Sequence, residues 1–163
     1  MLNKIHKHRY IYIVLILIAC LFLTSCKVEK YSDVPQVEYK NILSCDGNKD
    51  NKYYVIIYST TCNYCENLEA FVVDYYNKTK NKSDLPYIYV LCVDKVENKE
   101  IKAKSDDEYN IFMLTKDYQK IKVSAEPALI EVTNNSLTKV VSSKTTRYPY
   151  TEIKNLLNNT LGE

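Results

Sequence analysis

Apolar and polar positions divide most of the chain into short elements. Tyr53-Tyr-Val-Ile-Ile-Tyr-Ser59 is a β-prone run without alternation, which predicts a strand buried on both faces. After Cys62-Asn-Tyr-Cys65, apolar residues fall at Leu68, Phe71, Val72, Tyr75 and Tyr76, the i, i+3, i+4, i+7, i+8 spacing of one helical face. That spacing predicts a helix starting at the two cysteines and stopping within Asn77–Asp84. Tyr87-Ile-Tyr-Val-Leu-Cys-Val93 reads as a second buried strand, so the order begins β, α, β. From Asp94 to Lys120 the pattern is polar and weak, with a short apolar patch at Ile111–Leu114 that is a helix or part of a loop. Ala128–Thr133 and Leu137–Ser142, separated by Asn134-Asn135-Ser136, predict a hairpin, because Asn tolerates the positive φ that its turn needs. Tyr150, Ile153, Leu156, Leu157 and Leu161 form the stripe of a final helix.

The N-terminus follows a different pattern. Lys4, Lys7 and Arg9 precede an unbroken apolar run of 14 residues, Tyr10 to Leu23. As a helix that run would span roughly 21 Å, short of the roughly 30 Å hydrocarbon core of a bilayer. A basic start, a run of this length and then small residues form the layout of a secretory signal, with an uncleaved membrane anchor as the alternative. Leu23-Thr24-Ser25-Cys26 resembles the lipobox of bacterial lipoproteins. That resemblance implies a signal peptide over 1–25, a lipid on Cys26, and a chain held at the cell membrane on its extracytoplasmic side. Residues 26–40 are expected to be the lipidated cysteine and a tether, interrupted by Pro35, and 41–163 the folded domain. A strand docked on the domain is the other reading of the tether.

With 22 basic and 20 acidic side chains the whole chain carries +2, and without residues 1–25 the balance is 19 against 20. That near neutrality argues against nucleic acid as a partner. A hydrophobic content of 46% in 163 residues supports one globular domain and excludes a disordered chain.

The six cysteines carry the chemistry. Cys20 leaves with the signal and Cys26 takes the lipid, leaving Cys45, Cys62, Cys65 and Cys92 in a compartment where disulfides persist. Cys62 and Cys65 sit where a strand passes into a helix, which puts the first sulfur beside unsatisfied backbone N–H donors. Those donors favour a thiolate, so Cys62 is the expected nucleophile and Cys65, facing the core, the resolving thiol. A structural disulfide or half of a metal site uses the same spacing, but a four-thiolate site would need Cys45 and Cys92 to converge on the pair. Those two read as buried thiols or an accessory disulfide. The only histidines, His6 and His8, belong to the signal, which leaves the mature domain without Cys-His or Ser-His-Asp catalysis.

Strand Tyr53–Ser59 running into Cys62-Asn-Tyr-Cys65, strand Tyr87–Val93 ending at Asp94, and Val123-Ser-Ala-Glu-Pro-Ala-Leu-Ile130 occur in the order seen in the thioredoxin superfamily. The resemblance covers roughly Tyr53 to Leu161. It implies an α/β thioredoxin-like fold, a central mixed sheet flanked by helices, with Pro127 cis and facing Cys62 and Cys65. Thr61, Asn63, Tyr64, Glu126 and Pro127 would then meet the substrate, with the Glu126 backbone offered to an extended segment as an added strand. Thioredoxin's Trp before the motif is replaced by Thr61, and its buried Asp by Ile56. A longer segment between Asp94 and Val123 points to an insertion.

These features imply a membrane-tethered thiol–disulfide oxidoreductase acting on cysteines of exported proteins, served by an unidentified membrane or extracytoplasmic redox partner, with neither metal nor organic cofactor. A binding or assembly module with an inert disulfide and a Cu(I) metallochaperone are the rival readings. Glu66, in the first turn of the helix, is expected to favour the helix dipole, or with Glu126 to form an acidic rim at the site.

Overall fold

The computed structural model describes residues 27–105, 108–109 and 113–163. The expected signal segment, Cys26, Ile111 and Phe112 lie outside the described residues. Among those described, the strands are β1 (Lys52–Tyr58), β2 (Tyr87–Cys92), β3 (Ala128–Thr133) and β4 (Ser136–Val141), and the helices are α1 (Asn63–Thr79) and α2 (Pro149–Leu161). None of the described helices is long and apolar enough to cross a membrane.

The strands form one mixed sheet in the order β2-β1-β3-β4. β1 runs parallel to β2, from Tyr53 opposite Tyr87 to Tyr58 opposite Cys92, and antiparallel to β3, while β3 and β4 form the expected hairpin. Its turn is Asn134 and Asn135 at φ 51° and 60°, so Ser136, expected in the turn, is the first residue of β4. The unalternating β1 run occupies an inner position, with every residue from Tyr53 to Tyr58 buried.

Both helices pack on one face of the sheet. Leu68, Val72 and Tyr75 of α1 and Ile153 and Leu157 of α2 bury against Tyr54, Ile56, Ile88, Val90 and Leu129. Pro149 begins α2, and Gly162 at φ 80° ends it. No helix among the described residues covers the opposite face except short 3₁₀ turns. There Tyr53, Val55, Ile57, Leu91 and Ile130 lie beneath irregular chain that contributes Val37, Tyr39, Ile42, Ile101, Ile121 and Val123. The described residues of the weakly patterned 94–123 are thus short 3₁₀ turns and loop, and Ile101, Ile121 and Val123 among them cover this face.

The two sheet edges are also covered. On the β2 side, Val90 N–H donates to the Pro35 carbonyl and Val37 N–H to the Val90 carbonyl, each at 3.0 Å. On the β4 side, Leu114 N–H donates to Leu137 O at 2.7 Å, and Leu137 N–H to Thr115 O at 3.1 Å. Met113 and Leu114 of the apolar patch are exposed, in a turn.

Residues 27–40 pack on the domain, not as the strand of the second reading but as 3₁₀ turns and extended chain with a single bridge, Gln36 opposite Val90. Val28 and Asn77 exchange hydrogen bonds, N–H to Oδ1 at 3.2 Å and Nδ2 to O at 2.8 Å. Tyr31, Val34, Val37 and Tyr39 are buried. The segment runs along α1 from near its C-terminal end toward the cysteines, then crosses the β2 edge to the other face.

Candidate active site

Cys62 is the N-cap of α1, with extended backbone, and its Sγ accepts a hydrogen bond from Cys65 N–H at 3.1 Å. In the same turn, Cys65 and Glu66 N–H reach the Cys62 carbonyl at 3.0 and 3.1 Å. The two cysteines are joined by a disulfide with their Cα atoms 5.2 Å apart. Cys62 is partly exposed, whereas Cys65 is 1% exposed. One sulfur is therefore open to a partner and already aligned with a backbone donor that would stabilise its thiolate.

The loop before Cys62 is tied down. Ser59 Oγ accepts from Thr61 N–H at 3.2 Å and lies 3.0 Å from Thr61 Oγ1. Asp94, just beyond β2, accepts both the backbone N–H and the hydroxyl of Thr60 at 2.7 Å. The Thr60 N–H, then the Thr60 hydroxyl, hold the Asp94 carboxyl below the ordinary carboxylate value. Because β1 and β2 are parallel, their C-terminal ends lie side by side, and this brings an acid at 94 to a loop at 60. The visible sign in the sequence is an acid directly after the second buried strand.

The Glu126–Pro127 bond is cis, as the resemblance implied, and Pro127 leads into β3 at the same end of the sheet. Tyr64, Glu126, Pro127, Arg147, Tyr148 and Tyr150 line a groove of about 310 Å³ here. Tyr64 and Tyr148 are 67% and 62% exposed, leaving two flat rings open to a ligand. Arg147 lies over the Tyr148 ring, 5.5 Å from its centre. Of the expected substrate residues, Tyr64, Glu126 and Pro127 meet in this groove. Thr61 and Asn63 are exposed beside Cys62 and do not line it. Arg147, Tyr148 and Tyr150 join this groove although nothing in a helix-start pattern marks them as neighbours of Pro127.

An acidic rim made of Glu66 and Glu126 does not form. The Glu126 side chain is only 10% exposed and turns toward Lys102, 3.1 Å from its Oε1. The ammonium is placed for ion pairing but not for a hydrogen bond, so Oε1 is buried without one. Glu66 stays exposed in the first turn of α1, where a carboxylate suits the helix dipole.

Ile56, standing where thioredoxin has a buried Asp, is fully buried in the helix-side core. Cys45 and Cys92 are free thiols. Cys92 lies in the helix-side core and Cys45 packs on the other, so the sheet separates them and they cannot join the pair in one metal site. Burial, with Asp46 adding to it, pushes the Cys45 thiol up to about 11, which keeps it protonated at neutral pH.

A second opening reaches the disulfide. Lys30, Tyr31, Tyr58, Cys62, Cys65 and Glu69 are among the residues lining a cleft of about 390 Å³ that shares no lining residue with the Pro127 groove. Tyr31 and Lys30 come from the stretch expected to be a tether. Val28, Tyr31, Val34 and Val37 recur every third residue, a spacing that would have marked a docked extended or 3₁₀ segment.

No protein-family model matches the chain, and none of the curated proteins matches it either. Among solved structures, mitochondrial thioredoxin 3 of Saccharomyces cerevisiae in its oxidized form is similar at 14% identity and a TM-score of 0.49, over 80% of this chain and 99% of that one. The thioredoxin of Malassezia sympodialis is similar at 16% identity and 0.45, over 74% and 90%. Thioredoxin f of spinach chloroplast is similar at 16% and 0.43, over 84% and 98%. The chain's own geometry states the fold: with a mixed β2-β1-β3-β4 sheet, a Cys-x-x-Cys disulfide at the start of the helix after β1 and a cis proline leading into β3, it is a thioredoxin-like α/β fold.

Proposed function

We propose that the chain is a thiol–disulfide oxidoreductase, held by a lipid on Cys26 to the extracytoplasmic face of a bacterial membrane, that exchanges disulfides with cysteines of exported proteins. The observation that carries the redox reading is a partly exposed Cys62 bonded to a buried Cys65 in the first turn of α1, beside an open aromatic groove.

In the oxidised protein a partner thiolate attacks Cys62 Sγ. A partner–Cys62 disulfide forms, the Cys62–Cys65 bond breaks, and its electron pair leaves on Cys65 as a thiolate. A second partner thiolate attacks the partner sulfur of the mixed disulfide and releases Cys62. The partner ends with a disulfide, and the pair has gained two electrons and two protons. The reverse sequence reduces a partner disulfide. In either direction the Cys65 N–H bonded to Cys62 Sγ stabilises the thiolate there, and the two sulfurs carry the electrons without a cofactor. The Pro127 groove would hold the partner's extended segment, with Tyr64, Tyr148 and Tyr150 against its side chains. Exported cysteine proteins on one side and a membrane or extracytoplasmic redox partner on the other complete the cycle.

The test is a redox titration of the full chain with thiol trapping and mass mapping of each sulfur. Cys62 and Cys65 are expected to interconvert reversibly. A potential near the roughly −270 mV of thioredoxin would mark a reductase, and one near roughly −120 mV a disulfide donor. Cys62→Ser is expected to abolish turnover and Cys65→Ser to trap a mixed disulfide. A pair that never exchanges, or full turnover in Cys62→Ser, overturns the redox reading.

A further inference from the structure

The second cleft approaches the disulfide by a route separate from the groove, and both cysteines line it. Yet Cys65 is 1% exposed. Tyr31 lines the same cleft and is buried against Cys65. Its ring stacks on Tyr58, with centres 4.4 Å apart and planes at 22°, and its hydroxyl donates to the Cys65 carbonyl at 3.1 Å. Its N–H donates to Glu69 Oε1 at 2.6 Å, and Gln36 Nε2 donates to its carbonyl at 2.8 Å. These contacts fix backbone, ring and hydroxyl of one residue between α1, β1 and the β2 edge. Tyr31 precedes the first strand by some twenty residues and still joins the helix-side core.

We infer that Tyr31 is a specificity-determining residue of the disulfide, sealing the cleft over Cys65 so that incoming thiolates and disulfides are confined to Cys62. The inference rests on the redox reading above and adds the means by which one sulfur of the pair is chosen. If an external thiolate took Cys65 instead, the mixed disulfide would form on the buried sulfur and the electron pair would leave on Cys62, reversing nucleophile and resolver. Burial, then the nearby Glu69 and Tyr58, raise the Tyr31 hydroxyl well above the ordinary phenol value. The phenol therefore stays a neutral donor to the Cys65 carbonyl across the physiological range.

The experiment uses full chains carrying one active-site thiol, Cys65 in Cys62→Ser and Cys62 in Cys65→Ser. Each is treated with an aromatic disulfide, 5,5′-dithiobis(2-nitrobenzoate), and adducts are assigned to sulfurs by mass mapping, which separates Cys45 and Cys92 from the pair. In the parent background Cys62 is expected to react and Cys65 to be at least tenfold slower. Tyr31→Ala is expected to raise the Cys65-to-Cys62 rate ratio at least tenfold. Tyr31→Phe, which keeps the ring, is expected to leave the ratio within threefold. If Tyr31→Ala does not fold, Glu69→Gln, which weakens the hold on the Tyr31 backbone, is expected to move the ratio in the same direction. An unchanged ratio in every folded variant overturns the inference, as does a tenfold rise in Tyr31→Phe with the ring still in place. An inert Cys62 in the parent background is a different failure, that of the redox reading itself.

Discussion

The two faces of the sheet are closed by different chemistry. On one, α1 and α2 satisfy their backbone groups internally and present apolar stripes, so Leu68, Val72, Ile153 and Leu157 need only fit. On the other, irregular chain brings backbone groups into the interior, and side chains must satisfy them. Asn98, 1% exposed, accepts from Tyr39 N–H at 2.8 Å and donates to the Cys92 carbonyl at 2.9 Å. The Tyr39 hydroxyl donates to Ile121 O at 3.0 Å, and the Tyr53 hydroxyl to Ile42 O at 3.2 Å. Volume therefore leads on the helical face, where the Tyr31 and Tyr75 hydroxyls also satisfy the Cys65 and Pro86 carbonyls, and hydrogen-bond partners lead on the irregular face. The disulfide belongs to the first face, but the β2 end that backs its loop is held by the second, through Asn98 on Cys92.

The two largest expected effects fall one on each face. Leu68, fully buried one turn beyond Cys65, should lose about 2–5 kcal/mol of stability on replacement by Ala. Leu68→Met, which conserves volume, should cost less than about 1.5 kcal/mol, both read by urea denaturation. Asn98→Ala is of comparable size, because it orphans the Tyr39 N–H and the Cys92 carbonyl at about 1–3 kcal/mol for each group. The sharpening variant is Asn98→Leu, which fills the space without supplying a partner and should be no better than Ala. An Asn98→Leu protein as stable as the parent would erase the distinction between the faces.

The same difference explains what could be read from the sequence. β1, β2, the hairpin and both helices were legible to within a residue or two, because buried strands are short β-prone apolar runs and amphipathic helices repeat at 3.6 residues. The disulfide and Pro127 were legible because their chemistry is local to a motif. Tyr31 was not: its segment repeats every third residue, between the two periods by which regular elements are recognised. Asn98 was hidden in a polar stretch whose weak apolar pattern marks no element, although one amide there holds two distant backbone groups. Arg147 and Tyr148 reach the groove only because α2 starts beside Pro127, a matter of tertiary packing that no local pattern encodes.

The smallest effect tests the junction between the faces. Asp94 ties the end of β2 to Thr60 through two 2.7 Å hydrogen bonds, and its carboxyl is held below the ordinary value chiefly by the Thr60 N–H. A carboxyl with a folded pKa below its unfolded one stabilises the fold fully above the unfolded value, near pH ~4, and loses that contribution as pH falls through the lower folded value. Asp94 is exposed, so solvent screening keeps the effect small. Asp94→Asn is therefore expected to melt slightly below the parent at about pH 7, with the gap closing as pH is lowered from about 5 toward about 2. A gap that persists unchanged at the acid end would mean that side-chain shape rather than charge holds Thr60. In that case the loop before Cys62 is fixed by packing, as on the helical face, and not by a polar partner as on the other.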